Sequence, residues 1–542
     1  LDSDGNLSFP IPRGGRLNQQ ITNSLSHNLR ANLSYRLVRE NHEINALGGW
    51  ELRDLQTLSD QALYYGYDDA TGLSSPVDYI SQFRLYQNQG NLQTIPYQGN
   101  HAGLVDRYVS YFGNAAYTYR NRYTFSASAR RDMSNLFGVE TNQRGVPLWS
   151  TGLGWTISEE EFYGMEYLPY LKLRASYGYN GNIDKSTTAF TTLFYQNFHP
   201  YVTGLRNAFI TNPPNPNLRW EKIRIINLGL DFENKSGRIG GSLEFYSKRG
   251  EDLIGESEVP DSNGIYVVRG NFSETQTTGF DLVLNTVNLV KPIRWTTQFL
   301  MSGIKDEVLS FEGTRTISQY LGGAGNVVPQ EGRPLFSVYS YPWGGLDPDT
   351  GNPLGFVDGE LSDNYSQIIG GLTPETLKFH GSSRPTLFGS IRNDIEWRGW
   401  SLSINMSYRM GYFYRRRSVD YAALSRGQIS HADYTDRWRE PGDELITQIP
   451  SQPAGLNTLR QSFYQSSSVL VERGDHIRLQ DIRLGYAWDQ VNFPGLPFQR
   501  LEIFTYLNNV GILWKATSDP LDPDFPTLRP LRSAAFGLRM NF

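Results

Sequence analysis

The densest run of chemistry-bearing side chains in this sequence is Tyr339, Tyr341 and Trp343, followed by Asp347 and Asp349. Aromatic faces beside carboxylates suit contact with sugar rings or peptide side chains. The same residues also suit a second role, since a long loop needs a small core of its own. In the same stretch, Asp347-Pro348-Asp349-Thr350-Gly351-Asn352 sets oxygen ligands at alternate positions, as a calcium loop does. No distal bidentate Glu follows, and Pro, Asp and Gly account for the same letters as a turn, so neither a metal nor another cofactor is expected. Arg415, Arg416 and Arg417, preceded by Tyr414, form a basic run that fits either phosphate groups or a solvated loop base.

Catalytic chemistry finds little footing. The seven His do not fall at ligand spacing, there is no Cys, and no Ser, His and Asp set accompanies a nucleophile turn. No catalytic residue is assigned, and the chain reads as something other than an enzyme. Fifty basic against 55 acidic residues leave a net charge of −5, which gives no reason to expect nucleic acid.

The elements that must position these residues are strands. Aromatics make up 13 % of the chain, yet hydrophobic residues reach only 39 % and the mean hydropathy is −0.46. That mixture suits a barrel with a thin lipid-facing layer, aromatic girdles and a polar lumen. No apolar run is long enough for a membrane-spanning helix, so a membrane could be crossed only by a closed barrel.

Period-two alternation recurs along the whole chain. Tyr123, Phe125, Ala127 and Ala129 oppose Thr124, Ser126, Ser128 and Arg130. Leu171, Leu173, Ala175, Tyr177 and Tyr179 oppose Lys172, Arg174, Ser176, Gly178 and Asn180. Leu402, Ile404, Met406, Tyr408 and Met410 oppose Ser401, Ser403, Asn405, Ser407 and Arg409.

The pattern predicts about fifteen strands, near 25–38, 42–60, 108–119, 123–134, 147–158, 168–181, 219–233, 236–254, 273–287, 292–311, 384–397, 400–416, 476–489, 498–510 and 533–542. Short connections near Arg39, Asn121, Glu161, Lys235, Pro292, Gly399 and Phe493 alternate with long ones at about 61–107, 135–146, 182–218, 255–272, 312–383, 417–475 and 511–532. A soluble sandwich has no reason to keep its long connections at one end, whereas outer-membrane barrels have short periplasmic turns and long extracellular loops. The expected fold is therefore all-β, an antiparallel transmembrane β-barrel.

In the last strand Phe536, Leu538, Met540 and Phe542 alternate with Gly537, Arg539 and Asn541. A final strand ending on Phe542 resembles the insertion signal of outer-membrane barrels, and as a soluble edge it would leave a long apolar strand unprotected. With that end in the periplasm, parity makes the first recognised strand run inward. Bacterial barrels have an even strand number, so at least one strand is expected upstream, and residues Leu1 to Pro10 carry no secretory leader.

Several blocks then resemble the SusC/RagA family of TonB-dependent outer-membrane transporters of Bacteroidetes, in the family's order. They are Tyr111-Phe112-Gly113 through Tyr117-Thr118-Tyr119 and Tyr123 to Arg131-Asp132 and Phe137-Gly138, Gly154-Trp155-Thr156-Ile157-Ser158 with Glu161-Phe162, and Leu171 to Gly178 with Gly181-Asn182. Further on come Gly344-Gly345-Leu346-Asp347-Pro348, Thr350-Gly351-Asn352-Pro353, Arg384-Pro385-Thr386 and Phe388-Gly389. The most distinctive block is Arg473-Gly474-Asp475-His476-Ile477-Arg478-Leu479-Gln480-Asp481-Ile482 with Leu484-Gly485-Tyr486, followed by Asn508-Asn509 and Asp522-Pro523-Asp524.

The resemblance implies a barrel of about 22 strands. About seven of these would lie N-terminal to residues 1–542, together with a plug domain and the TonB box. It also implies import of a bulky nutrient, a glycan or an oligopeptide, across the outer membrane. The implied partners are a SusD-like surface lipoprotein and TonB-ExbB-ExbD, with outer-membrane lipid and lipopolysaccharide around the barrel. On this reading Tyr339, Tyr341, Trp343, Asp347 and Asp349 are candidate substrate contacts; for Arg415 to Arg417, contact with lipopolysaccharide phosphates and a solvated loop base stand as equal alternatives. Rival readings are a scaffold subunit built on a transporter-like barrel, a passive porin, and an enzyme whose site is assembled across strands.

Overall fold

The computed structural model describes all residues except 1–8, 85–91, 136–144, 183, 186, 197–206, 259–266, 314, 323–326, 328, 429–430 and 491–492, so Phe137-Gly138 lie outside the described residues. Fifteen long strands form one antiparallel meander. They are β1 Gly15–Arg39, β2 His42–Asp68, β3 Asn100–Tyr119, β4 Tyr123–Ser134, β5 Gly145–Thr156, β6 Tyr170–Asn182, β7 Glu221–Glu233 and β8 Ile239–Glu258. The second half comprises β9 Val267–Leu289, β10 Arg294–Phe311, β11 Leu387–Trp397, β12 Trp400–Met410, β13 His476–Asp489, β14 Arg500–Lys515 and β15 Ser533–Asn541. Each strand pairs with its neighbours in sequence, and a short strand, Leu73–Ser75, adds to β2. Among the described residues, β1 and β15 each pair on one side only.

The strand count matches the periodicity, while several strands run beyond it. β2 reaches Asp68 and β3 begins at Asn100, because Leu63 and Tyr65 continue the ladder into a small core with Ile95. Turn chemistry closes the short end. Trp397 pairs with Trp400 around Arg398 and Gly399, which take φ of 46° and 89°, the left-handed pair that a two-residue hairpin requires. The connection expected at Glu161 is longer than a hairpin turn, running from a 3-10 turn at Ile157–Glu159 to Tyr170.

The two faces of the sheet invert the arrangement of a soluble protein. One face is apolar and open, with Leu153 62 % and Phe245 54 % exposed. The opposite face carries the polar ladders. Arg174 donates to Asp231 at 2.8 and 2.9 Å and to Glu244 at 2.6 Å. Asn405 donates to Asp481, and Ser302 to Asp281. The long loops fold onto this polar face, where Asp306 accepts the Leu335 N–H and Arg409 pairs with Asp524. The polar face is therefore the lumen and the apolar one the outside.

Aromatic rings mark two levels on the outside. Tyr117, Tyr123 and Trp155 stand near the short turns, and Tyr111 and Trp149 stand six residues away on the same strands. The separation is about 20 Å along a strand. Such paired rings bounding an apolar band are the girdles of a membrane barrel. The buried hydrophobic clusters, by contrast, centre on the loops and their strand ends.

Candidate functional site

The described residues of segments 312–386, 411–475 and 516–532 fold together over the long-loop end of the lumen. A helix at Thr458–Gln465 is their centre, started by Asn457, whose side-chain oxygen accepts the Arg460 N–H at 3.0 Å. Phe463, 0 % exposed, projects from this helix into the core. Its ring lies 5.5 Å from Tyr341, 5.8 Å from Tyr365 and 6.4 Å from Trp343.

Tyr339 is 1 % exposed and Tyr341 4 %, so both rings pack the loop domain. Tyr339 lies edge-on to Tyr320 at 5.2 Å, donates to Gln330 at 2.6 Å, and has its phenol pushed up to about 12 by burial. Trp343 is half-buried against Phe463 and Tyr464. The aromatic trio is brought together as the loop's spine, which leaves Trp343 its only partly open member.

Asp347 spends its carboxylate on its own turn. One oxygen accepts from the Asp349 N–H at 3.1 Å and from the Thr350 N–H and hydroxyl, each at 2.8 Å. The Thr350 hydroxyl chiefly holds this carboxyl below its ordinary range. Asp349 is exposed at the tip, and no cluster of three metal-ligating carboxylates or histidines occurs among the described residues.

Gly351 turns the chain back at φ +64°, and a Cβ there would meet Trp438 at 2.3 Å. Gly351→Ala is thus expected to destabilise this corner by at least about 1–2 kcal/mol. Faster hydrogen exchange across residues 436–450 is the measurement, and unchanged exchange would mean that Trp438 relaxes freely.

The basic run divides. Arg415 donates to the backbone carbonyls of Leu321 and Tyr339, and burial lowers its pKa. Arg416 donates to Asp433 at 2.6 Å, and Ser418 donates to the same oxygen. Both tie loop segments together, and Arg417 alone is exposed to meet an anion.

Two blocks far apart in sequence meet at the base of the loop domain. Arg478 donates to both oxygens of Asp522 at 2.7 and 2.6 Å and to Asn509 at 3.0 Å. Asp524 faces Arg409 at 2.9 Å and His476 at 3.4 Å, and accepts from the Tyr412 hydroxyl at 3.2 Å. This cluster clamps segment 516–532 to the lumen wall.

Beside it the structure opens a recess of about 440 Å³ between wall and loop, lined by Ile304, Phe336, Phe388, Arg384, Arg409 and Asp306 among others. The Arg384 guanidinium stacks on Phe336, 3.2 Å from the ring centroid, and makes no ion pair among the described residues. The recess therefore offers an apolar floor with an available cation. Its parts come from β9 to β12 and one loop, so no local pattern announced them, although Arg384 and Phe388 stand in a block already singled out.

The family model for the β-barrel of TonB-dependent receptor-like proteins matches residues 4–510. TonB-dependent receptor P26 of Formosa agariphila is 26 % identical over 547 residues, covering 95 % of this chain and 51 % of that protein. TonB-dependent receptor SusC of Bacteroides thetaiotaomicron is 31 % identical over 214 residues, 38 % of this chain and 21 % of its own length. The solved RagAB peptide transporter superposes with a TM-score of 0.77 at 19 % identity, over 97 % of this chain and 56 % of the matched one, which establishes the fold. The chain thus spans about half the length of P26. Fifteen meandering strands, an inverted polarity and these matches agree, and the chain belongs to the TonB-dependent receptor-like β-barrel family.

Proposed function

We propose that this chain forms much of the wall of an outer-membrane importer for a bulky nutrient, a glycan or an oligopeptide, energised through TonB. The observation that carries the reading is the folded loop domain seated on a polar lumen wall above the Arg384 recess, inside a sheet whose outer face is apolar. A passive pore needs an open mouth; here the two largest loops share buried cores over the lumen face. Substrate meets the recess and the open edges of the loop domain at Trp343 and Asp349, while Tyr339, Tyr341 and Asp347 hold those edges in place.

In this reading the long-loop end is extracellular, Phe542 lies at the periplasmic end as part of the insertion signal, and the barrel sits in the outer membrane. The plug domain and TonB box lie N-terminal to this segment, which is the C-terminal part of the barrel. The likeness to RagAB, a peptide transporter, and to SusC supports a SusD-like lipoprotein above the loops and TonB-ExbB-ExbD below.

The test is uptake of size-fractionated glycans and peptides by cells with and without the full-length protein, each with and without a protonophore. Uptake that needs both the protein and the proton gradient is the expected result. Protein-dependent uptake indifferent to the protonophore would establish a pore, and no uptake defect at all would establish a scaffold.

A further inference from the structure

The outer face contains a trough that the importer reading does not use. Across the sheet, cross-strand partners line up as Phe125, Leu153, Ala175, Leu228 and Phe245, so one methyl group sits in a row of large side chains. In the adjoining row, two residues nearer the short turns, Tyr123, Trp155, Leu173 and Leu230 are in register. The gap over Ala175 opens a groove of about 810 Å³ lined by these residues. It lies in the middle of the meander, several strands from either unpaired edge.

The rim is held in place. Glu160 accepts from the Tyr123 hydroxyl and from the Trp155 indole N–H at 3.0 Å, and pairs with Arg122 at 3.4 Å. Glu160 thereby fixes the two rings that border the groove and neutralises one cation of the turn. Arg120, in the same turn, makes no ion pair among the described residues; its guanidinium lies over the Tyr119 ring at 5.2 Å, and Tyr119 is the cross-strand partner of Tyr123.

An apolar trough ending at an aromatic girdle with a free cation just beyond it matches one chemistry, a hydrocarbon chain carrying an anionic headgroup. We propose that this groove is a binding site for one glycerophospholipid of the periplasmic leaflet, with an acyl chain over Ala175 and its phosphate at Arg120. The assignment rests on the membrane placement above, which puts the short turns on the periplasmic side. A loosely mobile annular lipid needs neither the small side chain at 175 nor the braced rim. Burying the chain in the trough covers the row from Leu153 to Leu228 that a flat bilayer contact would leave unevenly packed.

The experiment is native mass spectrometry of the full-length protein from outer membranes, in mild detergent supplied with palmitoyl-oleoyl phosphatidylethanolamine. Wild type is expected to retain one phospholipid under activation that strips all others. Ala175→Trp, which fills the trough, is expected to lose it, while Ala127→Trp, on the same outer face beyond the groove, keeps it. Equal retention by wild type and Ala175→Trp would overturn the proposal, as would a retained mass belonging to lipopolysaccharide.

Should Ala175→Trp fail to fold, shown by loss of heat-modifiable gel mobility, wild type still decides. Phospholipid brominated at mid-chain must quench the part of the tryptophan emission that disappears in Trp155→Phe. Absence of the protein from the outer-membrane fraction would instead refute the membrane placement, a separate failure.

Discussion

Phe463→Ala is expected to unfold the loop domain while leaving the strand wall intact. Its ring is fully buried and contacts Tyr341, Trp343 and Tyr365, the residues through which the two largest loops meet. Removing a buried Phe costs about 3–5 kcal/mol, the lost transfer energy plus the cavity left behind. The loop domain is made of short elements: the Thr458–Gln465 helix is two turns long, and the others are strands or helices of a few residues. None is long enough to be stable by itself, so the domain has little to oppose such a loss. The wall is held by continuous ladders from β1 to β15 that do not pass through Phe463. Limited proteolysis should therefore cut the variant within 312–383 and 417–475 while its heat-modifiable mobility matches wild type. Loss of both together would mean that wall and loops fold as one cooperative unit.

The same contrast explains what was legible in the sequence. Period-two alternation is a local signal, so residues Tyr123 to Arg130 declare both faces of β4 without knowledge of their neighbours. The short-long alternation of connections follows from a meander in the same local way. The loop domain is different. Nothing near Tyr339 says whether its ring faces substrate or the loop core, because the decision rests on Phe379 and Arg415, 40 and 76 residues further along. Arg415 to Arg417 look uniform as letters, yet each meets a different surround once Asp433 and the Tyr339 carbonyl arrive from other segments. Ala175 carries no signal at all until register sets it between Leu153 and Leu228.

Arg478→Met is expected to release segment 516–532 from the lumen wall. The guanidinium and Asp522 are both nearly sealed from water, and Asp524 shares its oxygens among Arg409, His476 and Tyr412. Deleting the cation leaves two buried carboxylates with too little compensating charge, and breaking such a pair costs about 3–5 kcal/mol. Removing charge from both sides, as in Arg478→Met with Asp522→Leu, should restore much of the loss, since packed apolar side chains often replace a buried pair at little cost. Hydrogen exchange across 516–532 measures both.

Acid probes the same clamp without mutation. Burial alone would raise the Asp524 carboxyl, but the hydrogen bond and charge of His476, with Arg409 and Arg478, outweigh it and bring it to about 2, below an ordinary 3.8. A carboxyl depressed in the folded state stabilises it above about pH 4, here by about 2 kcal/mol, and that contribution fades as pH falls through 2. Exchange in this segment should therefore quicken between those values in wild type and depend less on pH in Asp524→Asn. If Arg478→Met leaves the segment as protected as wild type, the loop is held by Asn509, which donates to the Pro530 and Leu531 carbonyls, and the charged cluster contributes little to the joint.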